Sequence, residues 1–230
     1  MMRSKRYAER AKLVDRTKEY KLDEAVAAIK KISDNKFDES ITLDIQLGLR
    51  PGQSNEMIRG TVSLAHGSGK KVNILCFCKG DAAREAKEAG AEFVGAEELV
   101  EKIQKENWLG FDIVVSHPDM MREVSKLGRV LGPRGLMPSP KNGTVTPNVG
   151  KAVAELKAGR VEFKNDKTSG VHVMCGKLSF SEKALIENAR MLLRAVRDAR
   201  PSAAKGDYMK RVTIAPSQGP GFRLAVGSLG

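Results

Sequence analysis

The sequence predicts an α/β protein of two domains, an outer one assembled from both ends of the chain and an α/β domain inserted into it. Three observations carry this. "ESITLDIQLGL" (39–49) alternates polar and apolar residues, the pattern of a strand with one buried face. Between 71 and 117, the short apolar runs "KVNILCFC" and "FDIVVSH" alternate with helical segments, as in a parallel sheet covered on both sides. The net charge of +12 is also unevenly divided: +3 in residues 1–66, +2 in 67–158 and +7 in 159–230. The domains are therefore expected at 1–66 plus 159–230 and at 67–158. Gly67, Gly69, Ala158 and Gly159 would be the hinge. One continuous α/β domain is the alternative on the same observations.

The elements follow in order. Leu22, Val26, Ile29 and Ile32 recur at helical spacing, with Asp23 and Glu24 early, where the helix dipole favours acids. In 39–49, Ile41, Leu43, Ile45, Leu47 and Leu49 point one way. "MIRGTVSLA" is a second strand, and "AHGSGK" (65–70) is a junction. "KVNILCFC" is a buried strand; "DAAREAKEAG" is a helix capped by Asp81 and stopped at Gly90; "EELVEKIQKE" is a helix; "FDIVVSH" is a buried strand. "LGPRGLMPSPKNGTV" (131–145) is too rich in glycine and proline for a helix interior and reads as a loop. "PNVGKAVAELKAG" is a helix closed by Gly159. "GRVEFKNDKTSGVHVMCGK" reads as a hairpin, Val161 and Phe163 facing Val171 and Val173. "SFSEKALIENARMLLRAVRDAR" is a long helix with capping-box spacing between Ser179 and Glu182, an apolar stripe of Leu185, Ile186, Ala189, Leu192, Leu193 and Val196, and a stop at Pro201. "MKRVTIAPS" and "FRLAV" are the last strands.

Composition narrows the function. At 41% hydrophobic and 30% charged, 230 residues are enough for a sizeable core. No apolar run approaches the ~18 residues of a membrane span. The basic N-terminus has no apolar signal core and carries Glu9, Asp15 and Glu19, against a secretory signal or transit peptide. Three cysteines do not make a disulfide framework, so a reducing, intracellular setting is expected. The basic flanks suggest a polyanionic partner.

Catalytic and cofactor chemistry find little support. "HGSGKK" lacks phosphate-loop spacing and precedes a strand instead of a helix. His66, His117 and His172 are scattered, and Cys76 and Cys78 lack a second pair, so no metal is expected and the thiols read as buried structural groups. His117 and Asp119 follow a strand, but nothing sets a nucleophile beside a base. No cofactor is expected, and the chain reads as a non-enzyme. Arg190, Arg194 and Arg197 share one helix face, equally consistent with solvent and with RNA. With 5% aromatic residues, no stacking platform for single strands is visible, so an RNA partner would be read as a folded, largely double-helical shape.

Several motifs together point to a family. "KRY" near the start, "KFDES" (36–40), "RGTVSLAHGSGK" (59–70), "KLGRVLGPRGLMPSPKNGTV" (126–145), "FKNDKTSGVHVMCGK" (163–177) and the late "GPG" resemble the ribosomal protein L-one family of the large-subunit stalk, over nearly the whole chain. The resemblance implies a discontinuous α+β RNA-binding domain with an inserted Rossmann-like α/β domain. It implies binding of large-subunit rRNA at the mobile stalk near the E site, help in releasing E-site tRNA, and repression of translation through the protein's own mRNA leader. It further implies a cytoplasmic, ribosomal protein that is monomeric outside the ribosome. Carried over by motif, the RNA contacts are Lys36, Phe37, Ser40, Lys167, His172, Ser217, Gln218 and Gly219. Gln218 stands where the family usually has methionine. Arg129, Arg134 and Lys141 in the glycine-rich loop are expected as auxiliary contacts to RNA or tRNA, with a turn-rich stabilising segment as the alternative.

Overall fold

The computed structural model describes residues 4–15, 17–33, 35–49, 57–202, 204 and 206–228. The chain divides into two compact units, Met1–Gly69 with Gly159–Gly230, and Lys70–Ala158. Gly67 lies in the first: its N–H donates to Leu64 O at 3.2 Å and its carbonyl accepts from Asn188 Nδ2 at 3.0 Å. These bonds move the first crossing to Gly69–Lys70, three residues beyond the expected boundary after His66.

The first unit holds α1 (Lys5–Lys12), α2 (Leu22–Ile32), β1 (Ser40–Leu47), β2 (Arg59–Ser63), β6 (Arg160–Lys164), β7 (Gly170–Lys177), α8 (Glu182–Asp198), β8 (Met209–Pro216) and β9 (Phe222–Leu224). An antiparallel sheet runs β7-β1-β8-β9. β1 is central because its alternation supplies a complete apolar face: Ile41, Leu43, Ile45 and Leu47 are all buried. They share one core with Val26 and Ile29 of α2 and Leu185, Leu192 and Val196 of α8. Each such side chain contributes about 1.5–3 kcal/mol by burial.

Two local readings are corrected here. The segment 160–177 is not a hairpin ladder. β6 pairs with β2, from the far side of the insertion, and β7 pairs with β1; the two arms meet only next to the turn, through an isolated bridge, Asn165 to Val171, and the Asp166 N–H that donates to Gly170 O at 2.8 Å. The turn between them is tied by the Asp166 carboxylate, which accepts from the N–H groups of Thr168 (2.8 Å) and Gly170 (2.7 Å), and Ser169 takes a left-handed φ of 65°. The N-cap of α8 is Ser181, whose hydroxyl accepts from Ala184 N–H at 3.2 Å. Ser179 is engaged elsewhere, its N–H and hydroxyl both donating to the Asp38 carboxylate.

The second unit holds β3 (Ile74–Phe77), α3 (Asp81–Glu88), β4 (Phe93–Gly95), α4 (Glu97–Glu106), β5 (Ile113–Ser116), the short α5 (Met121–Ser125) and α6 (Gly128–Leu131), and α7 (Val149–Lys157). Its three strands are parallel, ordered β4-β3-β5. The continuous apolar run of β3 serves two cores. Ile74 and Cys76 pack with Ala86 of α3 and Val153 of α7, whereas Leu75 and Phe77 pack with Val100 and Ile103 of α4 and Val124 of α5. Asp81 is the first residue of α3, not its cap; Gly80, at φ 64°, precedes it. All three cysteines are buried free thiols; burial pushes Cys76 and Cys175 up to about 12. No helix among the described residues is long and apolar enough to cross a membrane.

Candidate nucleic-acid interface

The face of the antiparallel sheet turned away from α2 and α8 is polar. It presents Ser40, Thr42, Asp44 and Gln46 on β1, His172 and Met174 on β7, Arg211, Thr213 and Ala215 on β8, and Arg223 on β9, and none of these is buried. An antiparallel sheet tolerates such a face because its alternation separates the core side from the solvent side.

At one end of β1, the segments 36–40 and 217–219 meet. Ser40 O accepts from both the N–H and the hydroxyl of Ser217, each at 3.0 Å. Lys177 Nζ donates to Ser40 Oγ at 3.0 Å, which leaves the Ser40 hydroxyl proton to donate outward. The Ser217 hydroxyl, having given its proton to Ser40 O, presents lone pairs that suit a ribose 2′-hydroxyl. Lys36 is exposed, and Phe37 is 48% exposed, so it is not a core residue. At Gly219, a Cβ would stand 2.6 Å from Pro216 Cγ, so the close turn requires glycine. The Gln218 side-chain oxygen accepts from Arg6 Nη2 at 2.5 Å.

His172 and Lys167 lie toward the other end of the same face. His172 sits opposite Asp44, four residues along β1 from Ser40 and therefore about 14 Å away at 3.4 Å per residue. Its Nδ1 is 2.7 Å from Asp44 Oδ1, and its Nε2 is 3.7 Å from Asp166 Oδ2. The hydrogen bond to Asp44 is the main cause of a pKa raised above the usual histidine value; desolvation opposes it, and the charges of Asp44 and Asp166 add to the rise. Asp166 is held below the usual carboxylate range by the Gly170 N–H and the Thr168 hydroxyl. The same bonds set the turn that carries the exposed Lys167.

Arg129, Arg134 and Lys141 belong to the second unit, and all three are exposed. Arg129 lies on α6, and Arg134 and Lys141 lie in the ordered loop that follows it. Leu131 is fully buried, Ser139 N–H donates to Thr144 Oγ1 at 2.8 Å, Val145 forms a parallel bridge with Ser116, and Gly135 and Gly143 take φ values of 72° and 67°.

A model of the ribosomal protein L1p/L10e family matches residues 29–220. The chain belongs to this family. A large ribosomal subunit protein uL1 from Kosmotoga olearia is 53% identical to it over 222 residues, 96% of each chain. The family span includes 36–40 and 217–219 and leaves α1 outside. The family is one of ribosomal proteins by its own description.

Four features of this region escape motif reading. Thr42, Thr213 and Arg211 lie on the polar face by strand parity, a signal present in the alternation of 39–49. Glu39 carries the same parity as Ile41 and is fully buried. Its Oε2 accepts the Gln218 N–H at 3.1 Å, its Oε1 lies 3.8 Å from Arg10 Nη1, and its carbonyl accepts from Leu178 N–H at 2.8 Å. Arg6 and Arg10, four apart on α1, reach the same corner. Asn188 interrupts the apolar stripe of α8 and is fully buried; it donates to Gly67 O and Cys175 O and accepts from His66 N–H.

Proposed function

We propose that this chain is a structural protein of the large ribosomal subunit that binds rRNA of the mobile stalk near the E site. On this reading it works by binding and not by catalysis, on cytoplasmic ribosomes, and is a monomer until it assembles. The observation that carries the reading is the polar sheet face, with the 36–40 and 217–219 segments joined at its rim through Ser40 and Ser217. Lys36, Lys167 and His172 would supply cationic, salt-dependent contacts. Phe37, Ser40, Ser217, Gln218 and Gly219 would supply the close fit that selects one helical shape over others through 2′-hydroxyls and sugars. Family membership supports the reading, since the Kosmotoga olearia relative is itself a large-subunit protein.

Two further roles follow from the same proposal: help in releasing deacylated tRNA from the E site, with Arg129, Arg134 and Lys141 as auxiliary phosphate contacts, and repression of the protein's own message through a leader that imitates the rRNA site. Gly67, Gly69, Ala158 and Gly159 would form a hinge that permits domain opening. Backbone geometry at the crossings supports glycine there. Gly67, Gly69 and Gly159 have φ of 68°, 72° and 100°, and a Cβ on Gly159 would lie 2.3 Å from Gly67 Cα.

The test is binding of the wild type and of a Lys36→Ala/Ser217→Ala variant to a stalk rRNA fragment and a non-cognate duplex, across several salt concentrations. Tight cognate binding that the double variant loses supports the assignment. Equal, wholly salt-driven binding to every RNA removes it. For the tRNA role, charge reversal at Arg129, Arg134 and Lys141 should lower tRNA occupancy on ribosomes carrying the variant.

A further inference from the structure

We propose that α1 is a clamp on the RNA-binding corner and that Glu39, with Arg10, is a positioning pair for it. The inference rests on the RNA-binding reading above and adds an element outside the matched family span. Glu39 touches no RNA in this proposal; it is fully buried, and it acts through the Gln218 backbone N–H that its carboxylate accepts. Two strands must agree for the corner to form. Residues 36–40 lead into β1, and 217–219 follow β8. Glu39 joins them from below, through its carboxylate to Gln218 and its carbonyl to Leu178. Arg10, whose side chain is only 6% exposed, faces that carboxylate and donates through Nη2 to Asn35 Oδ1 at 3.3 Å, just ahead of Lys36. Arg6, one helical turn earlier, holds the Gln218 side chain from the solvent side. Gln218 is thus gripped at its backbone by a buried carboxylate and at its side chain by an exposed guanidinium.

A buried ion pair is a poor source of stability, because desolvation of both ions offsets most of their attraction. A well-packed apolar pair of similar volume would hold α1 down as well. What the apolar pair would not do is accept the Gln218 N–H and so fix the 217–219 turn against Ser40. The arrangement therefore predicts a device for specificity. Side chains that make phosphate contacts are untouched by it, so the salt dependence of binding stays the same while discrimination falls.

The experiment uses the full chain and measures dissociation constants for the stalk rRNA fragment and for a non-cognate duplex at several salt concentrations, alongside thermal melting. Glu39→Leu, which removes the acceptor for the Gln218 N–H, is expected to weaken cognate binding by roughly tenfold, with an unchanged salt slope and unchanged non-cognate binding. The paired Arg10→Met/Glu39→Leu variant is expected to recover the melting temperature and not the cognate affinity. Arg6→Ala, at an exposed site that does not threaten folding, is expected to weaken cognate binding several-fold, more than its single charge weakens non-cognate binding. Recovery of full cognate affinity in the apolar pair, or wild-type discrimination in Arg6→Ala, overturns the proposal even where Glu39→Leu alone fails to fold. A wild type that does not prefer the cognate fragment instead overturns the underlying function, and the clamp falls with it.

Discussion

The two sheets of this molecule solve the same packing problem in opposite ways. In the second unit, β3 is covered on both sides, with Ile74 and Cys76 in one core and Leu75 and Phe77 in the other. Such a sheet keeps no side-chain face for a partner, so anything the unit contacts must be met by helix faces, strand ends and loops, such as the segment 128–145 that bears Arg129, Arg134 and Lys141. In the first unit, β1 buries Ile41, Leu43, Ile45 and Leu47 and turns Ser40, Thr42, Asp44 and Gln46 outward. The uneven charge follows the same division, with the flanking segments more basic than the insertion. The lesson is that an alternating strand makes a core and a surface at once, whereas a continuously apolar strand makes two cores.

The contrast can be broken in three ways, beginning with the largest effect. Phe77→Ala empties a fully buried site in the second unit and should cost about 3–5 kcal/mol, read by chemical denaturation. If the two sheets are separate in function, the folded variant keeps its affinity for the stalk fragment; a parallel loss of binding would end the contrast. Asn188→Ala is next. It removes the donor to Gly67 O and Cys175 O and the acceptor for His66 N–H, so about 2–3 kcal/mol of stability should go, and amide exchange at His66 and Gly67 should quicken. Unchanged protection there would mean that the crossing is held by other bonds. The smallest effect concerns pH. Because His172 has a raised pKa in the fold, its contribution to stability is full below pH 6.5 and is lost as pH rises through the raised value. Its positive charge also offsets Asp44 and Asp166 on the polar sheet face proposed to meet RNA, so affinity should fall over the same window, by about fivefold or less for so exposed a group. His172→Gln should flatten that profile; a slope that survives the substitution belongs to another group.

Much of this was readable from the chain. The alternation of 39–49 gave the central strand, the apolar runs gave β3 and β5, and the stripe from Leu185 to Val196 gave α8. Partner choice was less readable. Val161 and Phe163 have the right parity for a hairpin with Val171 and Val173, but parity does not say which strand lies alongside, and β6 finds β2 across the whole insertion. β4 has three residues, too few for any period to register. The capping position fell to Ser181 because α8 begins at Glu182, two residues later than the Ser179–Glu182 spacing implies, and Ser179 is turned to Asp38, distant in sequence. At the corner where 36–40 meets 217–219, motif likeness proposed residues that lie at the surface or part-buried. It did not supply the buried carboxylate beneath them, although Glu39 carries the parity of the core.

The discontinuity of the first unit also has a consequence for synthesis. β1 emerges early, but its neighbours, β7 and β8, end at Lys177 and Pro216. Every strand and helix of the second unit, through α7 at Lys157, is made before either neighbour exists. The inserted unit is therefore expected to acquire its cores first on the translating ribosome, since domains generally fold as units during synthesis. Until β7 arrives, "SITLDIQL" is an unpaired strand with an apolar face, the kind of segment that invites wrong pairing or chaperone capture. The order of the chain makes the first strand of the antiparallel sheet wait longest for its partners.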